Sequence, residues 1–174
     1  GEKAGLWGDI TNTNLNILQQ AIAGYDSVTL NATTGATLAF TNGDLSDGKN
    51  ALLNLAGTIT TSVNVVVPDS GSGTAPQKAY IVKNSTSGAH DVVVKTTSGT
   101  GATFSTTDKG NKIVYSNGTN IVDVFANQNQ IGLFTIPQAD GTSGQLLQTD
   151  GSGTLSFTDP FTTGKAIAMA IVFG

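Results

Sequence analysis

The chain has 174 residues and weighs 17.7 kDa, light for its length because Gly, Ser, Thr and Asn dominate, and only 11% of residues are charged against ~25% in an average protein. All 8 basic residues are Lys, scattered from Lys3 to Lys165 in a chain of net charge -4; that excludes the clustered cationic surface a nucleic acid needs. Cys 0 excludes disulfides, thiolate zinc sites and cysteine nucleophiles while saying nothing about compartment.

Residues 1–24 carry the helix signal and read as an N-terminal attachment segment. Leu15, Leu18 and Ile22 recur at three and four residues with Ile17 and Ala21 beside them, the spacing of one apolar helix face. Thr11 is the expected N-cap, with Ile10 and Leu15 as a hydrophobic staple, and Gly24 the expected stop. A helix of about twelve residues is marginal alone. Its face must be covered by the chain's own domain or by neighbouring chains, which makes Leu15, Leu18 and Ile22 candidate oligomer-interface residues.

From Tyr25 to Ala126 the period becomes extended. About eight short segments rich in Val, Ile, Thr and aromatics, from Ser27–Leu30 to Asn120–Phe125, alternate with Gly, Asn, Asp and Ser clusters. Asn117-Gly118 between two such runs predicts a β-hairpin with a type I′ turn. With turns every eight to twelve residues and no second helix for a crossover, the expected fold is mainly β: a short N-terminal helix, a central antiparallel β-sandwich or jelly roll over 25–126, and an extended C-terminal region over 127–174.

In that last region, Asn127–Gln130 reads as polar linker and Ile131–Ile136 as one strand, and two Asp-Gly turns at Asp140 and Asp150 bracket an extended Gln145–Thr149. Too little apolar area lies here for a separate core. The tail alternates Ile167, Met169 and Ile171 with Ala168 and Ala170, a strand period; left exposed it would aggregate. These three residues join the candidate interface. At well under the ~20 residues of a bilayer span, the tail predicts no membrane insertion. No signal peptide is legible, and the opening at Gly1 without Met leaves room for an upstream segment.

The sequence offers little chemistry. Asp44, Asp47, Asp69, Asp140 and Asp150 sit beside Gly or in turns, where a carboxylate caps its own backbone instead of pairing across a glycosidic bond. His90, the single histidine, follows no nucleophile elbow. One His with no Cys makes a transition-metal site improbable, and the Asp-Gly turns lack the spacing of a calcium loop. Thr163-Gly164-Lys165 resembles the end of a phosphate loop, but Asp159 stands where its first Gly belongs and Ala166 replaces the hydroxyl. The glycosylation triplets at Asn31, Asn84 and Asn117 are chance in so Asn- and Thr-rich a chain. Trp7, Tyr25, Tyr80 and Tyr115 read as packing residues in preference to a ligand platform. No catalytic residue, cofactor or metal is expected.

Two stretches carry a resemblance. Gly5-Leu-Trp7-Gly8-Asp9-Ile-Thr-Asn12-Thr-Asn14 resembles the G-x-W-G-(D/E)-x-x-N-x-N opening of many bacteriophage tail-fibre chains, where a short helix leads into a β-rich domain. Gly141-Thr-Ser-Gly144-Gln145-Leu-Leu147-Gln-Thr149-Asp150-Gly151-Ser-Gly153 is similar to a G-x-x-G-Q-x-L-x-(S/T)-(D/N)-G-x-G segment of fibre shafts and tips, with Phe157 where Trp is frequent. The resemblance implies a structural virion component on the tail or another external appendage. It further implies a homotrimer joined to other tail or capsid proteins, with a host-surface glycan or protein as a further partner. These motifs mark architecture and transfer no functional residue. A stand-alone carbohydrate-binding module or adhesin domain is the alternative expectation, and a small depolymerase the third.

Overall fold

A computed structural model describes residues 5–69, 75–126, 128, 130–160 and 163–173. Residues 1–4 of the attachment segment, Asn127 and Asn129 of the linker, and the side chain of Met169 lie outside what is described. The chain divides into two compact units, residues 1–126 and 127–174.

The first unit opens with helix α1 (Trp7–Ala23), which starts ahead of the expected Thr11 cap. Thr11 lies inside the helix, and its Oγ1 donates to the Trp7 carbonyl at 2.8 Å. Leu6 occupies the N-cap with no side-chain bond, and Asp9 supplies the acid in the first turn that the helix dipole favours. Gly24 ends the helix as expected, its N–H reaching the Gln20 carbonyl at 2.9 Å. Its φ of −65° is open to any residue. Space is what requires glycine here, since a Cβ would come within 2.4 Å of Asn50 Oδ1.

Among the described residues nine strands follow: β1 (Tyr25–Thr29), β2 (Gly35–Thr37), β3 (Leu52–Ala56), β4 (Val63–Val67), β5 (Ala79–Asn84), β6 (Val92–Thr96), β7 (Gly101–Phe104), β8 (Asn111–Ser116) and β9 (Ile121–Asp123). They form one sheet in the order β1-β3-β5-β8-β9 and another in the order β2-β4-β6-β7. From β1 to β6 the chain alternates between the sheets, and each return lies parallel to the strand before it. The result is a coil of three turns, in which residues paired from one turn to the next stand 27 to 29 positions apart. Strands β7, β8 and β9 then close the stack with antiparallel pairs.

The mainly β class with a short N-terminal helix stands, but the sheets are mixed where a wholly antiparallel sandwich was expected. Burial alternates along β4 and β5, because each sheet buries one face and exposes the other. That alternation usually accompanies antiparallel sheets. Parallel strands usually need a helical crossover; here the opposite sheet is the crossover, so no second helix is required. Leu53, Leu55, Tyr80, Val82 and Val114 of one sheet and Val63, Val65, Val67, Val92, Val94 and Phe104 of the other are all buried in a single core cluster.

Between turns the polar residues form ladders. Asn54 Nδ2 donates to Ser27 Oγ at 3.1 Å and Ser85 Oγ donates to Asn54 Oδ1 at 2.6 Å, tying three successive turns. Thr58 and Ser87 share a hydrogen bond at 2.8 Å, and Thr60 reaches the Ala32 carbonyl. The hydroxyl-rich composition is thus spent partly on joining turns. Asn84 is fully buried: its Nδ2 donates to the Asp108 carbonyl, and its Oδ1 accepts from the Thr86 amide and hydroxyl. It has no surface on which to carry a glycan.

The hairpin between β8 and β9 is present, with Ser116 opposite Ile121. Its turn differs from the expected type I′, which needs a positive φ at both central residues. Gly118 (φ 95°) is the only turn residue with one, and Asn117 instead accepts from the Thr119 and Asn120 amides through Oδ1.

The second unit contains β10 (Gln130–Ile131) hairpinned to β11 (Phe134–Thr135), β12 (Leu146–Thr149) hairpinned to β13 (Leu155–Thr158), and helix α2 (Thr163–Phe173). The single strand expected over Ile131–Ile136 is therefore two short ones turning at Gly132. The tail strand is corrected as well: it is helix α2. Ala and Met are strong helix formers, and a segment apolar on nearly every side satisfies a helix as readily as an alternating strand. Strands β10, β11 and β12 have no buried residue.

Candidate functional site

Helix α1 presents two distinct stripes. Leu15, Leu18 and Ile22 are 58%, 58% and 78% exposed, while Thr13, Ile17 and Gln20 are half-buried and the helix buries no residue fully. The apolar stripe therefore has no cover among the described residues of the first unit. It continues onto the domain at Ile22, which with Ala21, Ala79, Ile81, Ile113 and Lys78 lines an apolar hollow of about 270 Å³. Tyr25, Leu52, Ile81 and Ile113 stand in register across β1, β3, β5 and β8, so the outer face of this sheet carries an apolar ridge. Tyr25, Ile81, Ile113 and Tyr115 are exposed there, and Trp7 is exposed at the start of α1. The packing role expected of the aromatics holds for Tyr80, which is buried, and fails for Trp7, Tyr25 and Tyr115.

The second stripe is made of amides. Asn16, Gln19, Gln20 and Ala23, spaced as one helix face, line with Gly24, Tyr25, Leu45 and Asn50 a hollow of about 250 Å³. The Asx and Glx spacing along the helix was the available signal for this group, and sequence reasoning passed over it.

Many of the ionisable groups hold local structure. Asp44, Asp47, Asp108, Asp123 and Asp150 each accept from a nearby backbone amide. Asp108 and Asp123 converge on Lys112, whose Nζ lies 3.1 Å from a carboxylate oxygen of each. Burial works to lower the pKa of Lys112, but the hydrogen bonds to Asp123 and Asp108 outweigh it and the value is raised. Lys78 Nζ donates to the Asn50 carbonyl at 2.9 Å and to that of Lys49, and sits 4.8 Å from the centre of the Tyr80 ring. Burial pulls the Lys78 amine down to about 8. It also pushes the Tyr80 hydroxyl up, with the charge of Asp47 adding to the effect. His90 is half-buried ahead of β6. Among the described residues no three of His, Asp and Glu gather closely enough to hold a metal, and no helix is long and apolar enough to cross a membrane.

In the second unit the motif residues shape two loops. Gln145 Oε1 accepts from the Thr142 amide at 2.9 Å while its Nε2 donates to Asp159 Oδ1 at 3.0 Å. Asp150 Oδ1 accepts from the Ser152 and Thr154 amides, and Gly153 (φ 95°) brings its backbone under the Leu133 carbonyl. Ile131, Leu133, Phe134, Leu146 and Leu147 remain exposed, as do Ile167 and Ile171 of α2 at 54% and 78%. Of the candidate interface residues, five are thus on the surface, and the side chain of Met169 is not described. Compared with known proteins, the chain matches no family model, no curated protein and no solved structure.

Proposed function

We propose that this chain is a structural subunit of a phage tail fibre or related virion appendage that works as a homotrimer. The observation that carries the proposal is α1: a helix of 17 residues with no buried side chain and an exposed apolar stripe. Helices of this length owe most of their stability to tertiary packing of one face, and this stripe finds no packing partner among the described residues of the first unit. Its continuity with the apolar hollow at Ile81 and Ile113 gives a second copy both a helix and a sheet face to cover. The exposed apolar residues of the second unit call for the same kind of cover. The two sequence motifs support the virion setting and the number three; host-surface attachment belongs to the same reading.

Sedimentation equilibrium on the intact protein tests it. Three copies per particle are expected, with Leu15→Asp/Leu18→Asp dissociating them while far-ultraviolet dichroism keeps its β signature. A wild-type protein that stays monomeric at all concentrations overturns the proposal.

A further inference from the structure

The amide-lined hollow beside α1 lies within the first unit, is lined by none of Leu15, Leu18 and Ile22, and shares only Tyr25 with the apolar ridge of the sheet. Among the described residues its lining includes four carboxamides, Asn16, Gln19, Gln20 and Asn50, one aromatic ring, Tyr25, and no acid or ammonium. A pocket without charge gives an ionic ligand nothing to pair with. Carboxamides each offer donors and an acceptor on neighbouring atoms, the complement of adjacent hydroxyl groups.

Two of the amides are held in place by the coil. Gln20 Oε1 accepts from the Ser46 amide at 3.3 Å, which leaves its Nε2 to donate elsewhere. Asn50 Nδ2 donates to the Asp47 carbonyl at 3.0 Å, and Asn50 is only 4% exposed. Among the described residues no donor reaches Asn50 Oδ1, which lies against Gly24, where any Cβ would come within 2.4 Å of it. Asn50 borders the hollow, so this oxygen is available to a donor on a ligand. Tyr25 is 65% exposed and begins β1, where pairing with Leu52 holds its backbone; its ring supplies an apolar plate with a polar tip.

We infer that this hollow, built from Asn16, Gln19, Gln20, Asn50 and Tyr25, is a binding subsite for one ring of a neutral saccharide. Amides engage the hydroxyls, and the Tyr25 ring covers the less polar face of the sugar. At about 250 Å³ the space falls just short of the ~300 Å³ at which ordinary ligand clefts begin, so it suits a single ring and an affinity in the millimolar range. A peptide is the less fitting occupant, because the polar groups are side-chain amides around one aromatic and do not form a row of free backbone groups.

Saturation-transfer difference NMR on the intact protein, with the methyl glycosides of glucose, galactose, mannose and N-acetylglucosamine as probes, tests the assignment whatever the oligomeric state. At least one glycoside is expected to receive saturation on its ring protons, with a dissociation constant of ~1–10 mM. Tyr25→Ala should weaken that binding about tenfold, whereas Tyr25→Phe, which keeps the plate, should stay within about threefold. Asn16→Ala, on the exposed side of the helix, is expected to weaken it without altering the fold. Absence of transfer to all four glycosides, transfer undiminished in Tyr25→Ala, or equal transfer to a tetra-alanine peptide would each overturn the inference. Sedimentation of the same samples reports separately on assembly, so the two proposals fail independently.

Discussion

Lys78 is the residue on which the first unit's pH response should turn. Its ammonium is drawn inward to the Lys49 and Asn50 carbonyls, one turn back along the coil, and lies over the Tyr80 ring. Burial lowers its folded pKa to about 8 from the ordinary 10.5. Between those values the unfolded chain binds more protons at this site than the folded one, so stability rises with pH across that window. Thermal melts from pH 7.5 to 9.5 should show this rise in the wild type and a flatter profile in Lys78→Met. The upper limit keeps clear of Tyr80, whose raised pKa acts in the opposite sense above the tyrosine range. A wild-type profile no steeper than that of the variant would contradict the assigned burial of the amine.

At the scale of elements, the β12–β13 hairpin depends on one carboxylate. Hydrogen bonds from the Ser152 and Thr154 amides hold the Asp150 carboxyl below its usual range. The folded turn therefore gains from this group above the unfolded pKa, and the gain is lost as pH falls through the depressed value. In Asp150→Ala, amide exchange at Ser152 and Thr154 should accelerate while exchange within β3 to β6 is unchanged. Equal acceleration in the core strands would show that the loop's role is global.

Much of this level was legible in the residues. The helix from Leu15 to Ile22, the hairpin at Asn117-Gly118 and the short strands between turn clusters follow from spacing and turn chemistry. The parallel coil was not, because a one-faced parallel sheet buries alternate residues just as an antiparallel one does. Its repeat of 27 to 29 residues is written in the positions of Asn54, Thr58, Thr60 and their partners and in no shared motif. The tail misled for a related reason: Ile167, Met169 and Ile171 alternate with alanine, yet Ile167 and Ile171 also stand one helical turn apart. The amide hollow escaped notice because Asn50 joins Asn16, Gln19 and Gln20 only when the chain comes back after β2.

For the whole molecule, the coil separates cross-section from extent. Each turn meets its neighbours through parallel strands and uncharged ladders such as Ser27, Asn54 and Ser85, and the closing strands β7 to β9 touch only the last turn's side of each sheet. A duplicate of residues 52–80 inserted after Tyr80 therefore keeps the strand register, with the original β3 and β4 on one side of it and β5 and β6 on the other. The lengthened chain should fold with an unchanged dichroism spectrum, its first unit extended along the coil by about 4.8 Å, one strand spacing, and should still melt cooperatively. An unfolded product would show that neighbouring turns are too individual to be exchanged. If the insertion is accepted, such a protein grows as masonry does, by whole courses, and its reach could be set by gene duplication without redesigning either end.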